Sequence, residues 1–322
     1  MKKTHLLSVM LMLLPFGLVH AQQDPQFSQF MFNRHYVNPA ATGDNPEFME
    51  FSSFFRSQWS GYNATFDDGG APNTITASFT SPIPGIKSGI GLLLVSDRVG
   101  ATSSSQVQLS YAYHAPLKNG GRLSFGLRSG LYNLSIDGTK LRAITEPDPL
   151  IPEGRVSEFK PDLSFGMQYS TEKYWVGLSS THLINTQFKY DFINSITTLV
   201  PHVYLSGGAH FDVSESVKLS PSAIIKTDFN SLSFDVNALS TINDQYLLGL
   251  GARASNNLDD LIFMAGAYFM KDRAFRFVYS LDLVLSGQAA KQPTSNEVSV
   301  FYRIPMPKPP VPTPLRTPRF RF

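Results

Sequence analysis

Hydrophobic and polar residues alternate along many short segments of this chain. Residues 122–133 place Leu123, Phe125 and Leu127 on one side of an extended segment, with small or charged side chains on the other. Residues 275–285 repeat the pattern with aromatic and leucine side chains. A period of two residues is typical of β-strands, because successive side chains point to opposite faces. The pattern therefore predicts strands with one apolar face and one small or polar face.

Fourteen segments carry this alternation, and most have about the nine to eleven residues that cross a bilayer at a tilt. The number is even, as in most transmembrane barrels. The predicted strands are 47–59, 73–80, 88–97, 104–114, 121–133, 161–170, 174–180, 201–212, 216–227, 231–240, 245–254, 260–270, 273–285 and 296–304.

The lengths of the predicted connections support a barrel that spans a membrane. If the N-terminus starts in the periplasm, the three longest connections, 134–160, 181–200 and 60–72, all fall at the outer end. A soluble β-sandwich also alternates, but it has no reason to collect its longest loops at one end. We therefore predict an all-β fold, a transmembrane antiparallel up-and-down β-barrel of about 14 strands over residues 46–304.

The two ends of the chain have other compositions. Residues 1–21 combine lysines, an apolar stretch and small residues before a cut after Ala21, which predicts a secretory signal peptide. Residues 22–45 are rich in aromatic, Asn and Pro residues, and two placements stay open for them, a plug in the lumen or a periplasmic segment. Residues 305–322 contain seven prolines and four cations, which predicts an extended periplasmic tail.

Composition narrows the class further. Beyond the signal peptide, no run of 18 apolar residues could form a membrane helix, so a membrane protein of this kind must be a closed barrel in the outer membrane. Without Lys2 and Lys3, the 27 basic and 25 acidic residues become equal in number. This balance argues against nucleic acid as a partner. The chain has no cysteine, which excludes thiolate metal sites and Cys nucleophiles.

The polar faces of the strands supply candidate residues for the lumen. His202 and His210 lie on one predicted face but roughly 26 Å apart, too far for one site. A catalytic triad is recognised by geometry, and no patterned serine stands out. We therefore expect no enzyme activity, no catalytic residue, no cofactor and no metal site. The candidates for the lumen are Arg128, Lys218, Lys226, Arg253, Arg276 and Asp282.

Three clusters of residues between positions 23 and 100 resemble the PorP/SprF family of the type IX secretion system in Bacteroidota. The first is the segment that begins Gln23-Asp24-Pro25 and continues to Gly43, the second surrounds Trp59, and the third starts at Ser88-Gly89. The candidates for family motif, partner contact or plug are Asp24, Pro25, Gln26, Phe27, Ser28, Gln29, Met31, Phe32, Asn33, Asn38, Pro39, Arg56, Gln58, Trp59, Pro72 and Thr74.

The resemblance implies a helper barrel of the secretion and gliding motility machinery. Such a protein assists export or surface anchoring of a cognate adhesin-like cargo. The implied partners are outer-membrane lipid, periplasmic ring components of the type IX system, and secreted cargo with a C-terminal sorting domain. A passive diffusion porin is the alternative that the polar lumen candidates leave open. For Trp59, at the end of the first predicted strand, we expect a place in the aromatic belt at the lipid interface.

Overall fold

The computed structural model of the protein describes residues 24–62, 70–143, 148, 151–190, 193–286 and 292–307. The predicted signal peptide and residues 308–322 of the predicted tail lie outside the described residues.

Antiparallel strands close into one barrel with fourteen strands in its wall. The wall strands are β1 (Phe48–Ser57), β2 (Asn73–Ile83), β3 (Ser88–Val99), β4 (Thr102–Pro116), β5 (Arg122–Asp137), β6 (Arg155–Ser170), β7 (Tyr174–Thr181), β10 (His202–Ala209) with β11 (Phe211–Asp212), β12 (Val217–Thr227), β13 (Leu232–Ile242), β14 (Tyr246–Ala254), β15 (Leu258–Phe269), β16 (Phe275–Val284) and β17 (Thr294–Pro305). Strand β17 pairs back with β1, from Phe48 opposite Pro305 to Ser57 opposite Asn296, and β10 pairs with both β7 and β12. The short strand β11 continues β10 along β12. The predicted barrel of about 14 strands is confirmed.

The predicted strands and the observed ones differ most at the outer loops. Strand β6 begins at Arg155, where the alternation predicted a start at residue 161. Within the connection predicted over 181–200, β8 (Gln187–Tyr190) and β9 (Ile193–Thr198) form a separate hairpin. Phe188 and Leu199 pack there with Tyr132 and Leu134 of β5. A strand of four residues is too short for its two-residue period to be recognised in the sequence.

The two faces of the wall have opposite polarity. On β4, Val107 is 55% exposed and Leu109 is 67% exposed on the outside. Gln106, Gln108 and Ser110, which alternate with them along the strand, point inward and are at most 5% exposed. This arrangement reverses that of a water-soluble protein and matches a barrel whose outer face is covered by lipid.

The connections differ at the two ends of the barrel. At the end that carries Phe48 and Pro305, the connections have at most five residues. One of them turns through Asn243 and Asp244, both with left-handed backbone, as tight hairpins require. The long connections, including 182–201, lie at the opposite end. Because transmembrane barrels have short periplasmic turns, we call these the periplasmic end and the outer end.

In the part of the chain that the structure describes, helical structure is confined to a few short turns. Inside the barrel, α1 (Arg34–Val37) is followed by a 3-10 helix at Pro39–Ala41, and three further 3-10 turns lie at Pro84–Ile86, Gly138–Lys140 and Lys271–Arg273. Among the described residues, no helix has the length and apolar character needed to cross a membrane.

Candidate functional site inside the barrel

The N-terminal segment, residues 24–45, lies inside the barrel. Its aromatic side chains Phe27, Phe30 and Tyr36 are at most 6% exposed and pack against inward-facing side chains of the wall, among them Phe54 and Phe301. Phe27 meets Phe54 edge to face with ring centroids 5.8 Å apart. The hydrophobic interior of this barrel therefore consists largely of contacts between the N-terminal segment and the wall.

Ser28 and Gln29 are polar residues of this segment, and both are fully buried. Their backbone N–H groups donate to the carboxylate of Glu297 on β17, at 2.8 and 3.1 Å. The Ser28 hydroxyl donates to Asp282 at 2.6 Å and accepts from Arg56 at 2.9 Å. Hydrogen bonds to an ionised carboxylate are about twice as strong as neutral ones. The wall thus binds the turn at Ser28 through charged groups.

Arg56 lies at the centre of a buried charged cluster. Its guanidinium contacts Asp282 at 2.7 Å and Glu297 at 3.0 Å, and all three side chains are at most 2% exposed. Arg253 extends the cluster by binding Asp235 and Asp260, both at 3.0 Å. Buried charges are tolerated only when they are paired and hydrogen-bonded. The inward-facing members of the cluster are Arg56, Lys226, Asp235, Arg253, Asp260, Asp282 and Glu297.

A second set of wall side chains binds the backbone of the helical part of the segment. Arg128 donates to the carbonyls of His35 and Tyr36 at 2.8 and 2.9 Å. Ser179 donates to the carbonyl of Val37 at 2.7 Å. These contacts satisfy carbonyl groups that a helix of four residues leaves without partners.

Glycines in the wall make room for this close approach. A Cβ atom at Gly126 would lie 2.2 Å from the carbonyl carbon of Pro39, and one at Gly89 would lie 2.2 Å from the carbonyl oxygen of Thr42. A Cβ at Gly91 would lie 3.0 Å from the His35 ring. Only glycine permits such an approach of the two backbones.

Towards the periplasmic end, the segment is held by an ion pair with two arginines. Asp44 contacts both Arg34, in the segment, and Arg122, at the start of β5. Burial would raise the pKa of Asp44, but the two guanidinium groups lower it below its ordinary value. Arg276 lies between the rings of Phe32 and Phe301, 4.1 and 3.7 Å from their centroids.

A cavity of about 620 Å³ opens at this periplasmic end. Its lining combines acidic and basic side chains with Met31 and Phe32 of the N-terminal segment. The charged residues of the lining include Asp44, Glu47, Glu50, Arg276 and Arg303.

Towards the outer end, Asp24 is surrounded by donors. Its carboxylate accepts from the Tyr204 hydroxyl at 2.8 Å and lies 2.9 Å from Nε2 of His182. Nδ1 of His182 lies 3.1 Å from Asp162 on β6. Burial alone would lower the pKa of His182, but the carboxylates of Asp24 and Asp162 raise it to about 10. His182 therefore bridges the N-terminal segment and the wall.

The structure brings most of the predicted residues together and separates a few. Gln26 accepts from Lys226 at 3.3 Å, Tyr36 donates to the carbonyl of Pro25 at 3.3 Å, and the Asn38 side chain donates to the carbonyl of Met167. Asn33 is buried in the same segment. Of the predicted lumen residues, Lys218 lies at the periplasmic rim, where it is 45% exposed and pairs with Asp244. It has the same strand parity as Lys226 on β12 but lies outside the buried cluster.

Four of the predicted motif residues lie at the outer ends of β1 and β2. They are Gln58, Trp59, Pro72 and Thr74. The Gln58 N–H donates to the carbonyl of Pro72, and Thr74 donates to Asp97 at 2.6 Å. Trp59 follows β1 in a left-handed backbone conformation, and its ring meets Tyr62 edge to face.

Sequence reasoning missed several residues of the site, among them three carboxylates and a histidine. Glu297, Asp162 and Asp260 were not singled out, although each has the inward parity of its strand. His182 was missed because it follows the last residue of β7, where alternation ends. The parity of charged residues within each strand was the available signal for the first three.

Three comparisons place this chain among known proteins. The family model described as "Type IX secretion system membrane protein PorP/SprF" matches residues 19–302. Among curated proteins, no significant match was found. The solved structure of the CymD monoaromatic hydrocarbon channel is similar with a TM-score of 0.52 and 12% identity, covering 87% of this chain and 93% of that one. The P. putida toluene transporter TodX is similar with a TM-score of 0.51 and 9% identity, covering 84% and 92%. At this identity, the two structures support the barrel fold alone.

Proposed function

The chain belongs to the PorP/SprF family of type IX secretion system membrane proteins, and from that premise we propose that it is a non-enzymatic outer-membrane component that assists export or surface anchoring of a cognate adhesin-like cargo. We propose that residues 1–21 are removed as a signal peptide and that residues 22–45 plug the lumen of the barrel at 46–304. Its proposed partners are periplasmic ring components of the type IX system and secreted cargo with a C-terminal sorting domain.

One observation carries the choice of an anchor over a porin, namely the enclosure of Ser28 and Gln29 by the wall. A diffusion porin needs a water-filled lumen with a polar constriction. Here the polar wall residues Arg56, Glu297 and Arg128 each form hydrogen bonds with the N-terminal segment. An interior used in this way supports a closed barrel that binds proteins at its two ends.

The periplasmic end and the outer end of the barrel have different surfaces. The periplasmic end has short turns and the cavity of about 620 Å³, which supports contact with a periplasmic partner there. We propose that the tail, residues 305–322, extends this contact into the periplasm. The outer end carries the long connections and the β8–β9 hairpin, which supports cargo contact on that side.

Conductance in planar bilayers tests the plug. We expect the purified full-length barrel to be silent and a variant lacking residues 22–45 to give large, steady currents. Deletion of residues 308–322 is the matched control, because it shortens the chain without removing a described contact in the lumen. Large steady currents from the intact protein would refute the plugged anchor and favour the diffusion porin.

Deletion of the gene in the source organism tests the role in export. We expect the surface proteome to lose one or a few large proteins that end in a type IX sorting domain, while other surface proteins stay. Complementation with the full chain should restore them. An unchanged surface proteome would contradict the role in export, whatever the conductance experiment shows.

A further inference from the structure

Three potential metal ligands converge at the outer end of the N-terminal segment. Asp24 comes from the segment, His182 follows β7, and His202 begins β10. One ligand atom from each lies within 4.8 Å of the other two. We propose that these three side chains bind a divalent transition-metal ion of the zinc class and so fasten the start of the N-terminal segment to the wall. The sequence predicted no metal site, because the three residues are far apart along the chain.

The two histidines are oriented as metal-binding histidines are. Nδ1 of His182 lies 3.1 Å from Asp162, and Nδ1 of His202 lies 3.0 Å from the carbonyl of Val200. A histidine ligand nearly always gives its other ring N–H to a carboxylate or a backbone carbonyl, which fixes its tautomer. Nε2 of His182 is thereby directed towards the Asp24 carboxylate. Nε2 of His202 is directed towards the backbone N–H of Asp24, and Nδ1 of His202 lies 4.0 Å from the carboxylate.

His202 already has the tautomer that a ligand requires. Its Nε2 accepts from the backbone N–H of Asp24 at 3.3 Å, so this nitrogen carries a lone pair that a metal ion would take over from that N–H. Nε2 of His182 faces the Asp24 carboxylate at 2.9 Å and carries the proton between them. A metal ion binding there takes the place of that proton, as metal binding to imidazole generally does.

The carboxylate of Asp24 is also held in position. Its Oδ2 accepts from Tyr204 at 2.8 Å and from Thr181 at 3.2 Å, which leaves Oδ1 towards His182. Ligating carboxylates are commonly hydrogen-bonded in this way by outer residues. Asp24 and His202 thus have supporting hydrogen bonds, and Nδ1 of His182 lies 3.1 Å from the Asp162 carboxylate.

The distances and the free space fit a zinc ion. Zinc binds nitrogen and oxygen ligands at about 2.0–2.2 Å, so tetrahedral ligands lie roughly 3.3 Å apart. Ligand atoms now within 4.8 Å reach that spacing by side-chain movements of about 1 Å. A cavity of about 30 Å³ borders Asp24 and His202. It can hold a water molecule beside these two ligands, since about 10–15 Å³ suffices for one.

Isothermal titration of the untagged, chelator-treated full-length barrel with Zn²⁺ tests the site. We expect one ion per chain, and at least about a hundredfold weaker binding in Asp24→Asn and in His202→Gln. Asp162→Asn should weaken binding by about tenfold through the orientation of His182. The matched control is His210→Gln, which alters an exposed histidine beyond the other end of β10 and should leave the affinity unchanged.

A variant that fails to fold would show a changed mobility in electrophoresis of unheated samples. For that case, a second measurement uses the wild-type protein. X-ray absorption at the zinc edge of the wild-type protein should show two imidazole ligands with oxygen completing the shell. No stoichiometric binding, or binding unchanged in folded His202→Gln, would overturn the proposal. In that case His182 is simply an imidazolium between Asp24 and Asp162. The outcome does not depend on whether the protein assists cargo export.

Discussion

Replacing Arg56 by methionine should strongly destabilise the barrel, and a second arginine of the same strand pair provides the control. Arg56 on β1 stands opposite Glu297 on β17, and six residues away Glu50 on β1 stands opposite Arg303 on β17. Both are cross-strand Arg–Glu pairs, at 3.0 and 2.7 Å. They differ in burial, because the first pair is at most 2% exposed and the second is about 30% exposed.

The magnitude follows from what each substitution leaves behind. Arg56→Met keeps most of the side-chain volume but leaves Glu297 without its cation, and Asp282 with only Arg253, 3.5 Å away. Removing one partner of a buried pair costs about 3–5 kcal/mol, which is about a hundredfold to a few thousandfold in the unfolding equilibrium. Arg303→Met breaks a partly exposed pair and should cost about 0–1 kcal/mol.

Urea unfolding of the barrel in phospholipid vesicles, followed by tryptophan fluorescence, measures both variants. Trp175 is a suitable reporter, because Arg34 of the N-terminal segment lies 4.8 Å from its ring centroid. Equal losses in Arg56→Met and Arg303→Met would refute the reasoning from burial. A loss below about 1 kcal/mol in Arg56→Met would show that water reaches the cluster.

Three further predictions concern the lumen, the rim and the lipid face. Gly126→Ala should push the N-terminal segment away from the wall, since its Cβ would lie 2.2 Å from Pro39. We expect new conductance and a loss of about 1–3 kcal/mol in the free energy of unfolding. Gly85→Ala, whose Cβ meets nothing within 4 Å, is the control. Because the folded pKa of Asp44 is lowered, its contribution to stability is present above the ordinary value of 3.8 and is lost as pH falls through the folded pKa. Trp175 fluorescence should therefore show an acid transition that is absent in Asp44→Asn. The same transition in both proteins would contradict this. Leu109→Arg, in the middle of the lipid face, should cost about 2–4 kcal/mol in vesicles, whereas no loss would argue against a transmembrane wall.

The barrel could be predicted from the sequence because a single physical signal repeats in every wall strand. An apolar outer face and a polar inner face impose a two-residue period. On β4, for example, Val107 and Leu109 face outward and Gln108 faces inward. Strand ends were harder, because β6 extends to Arg155 beyond the segment that carries the alternation. The β8–β9 hairpin was missed because its stability comes from packing on Tyr132, a contact distant along the chain.

The interior was predicted only in part. Parity assigned Arg128, Arg253 and Asp282 to the inner face, and the structure has them there. Parity could not show which carboxylate each cation binds, because partners depend on the path of the N-terminal segment across the lumen. Arg253, for instance, binds Ser28 of that segment as well as Asp235 of a neighbouring strand.

The position of Glu297 has a consequence for assembly. The turn at Ser28 precedes every wall strand along the chain and is made before them, yet its carboxylate partner lies on β17, the last strand of the wall. These hydrogen bonds cannot form until β17 has arrived, and the same strand closes the ring by pairing with β1. The N-terminal segment therefore forms these contacts late in assembly. The barrel closes, by the pairing of β17 with β1, around a segment of its own chain.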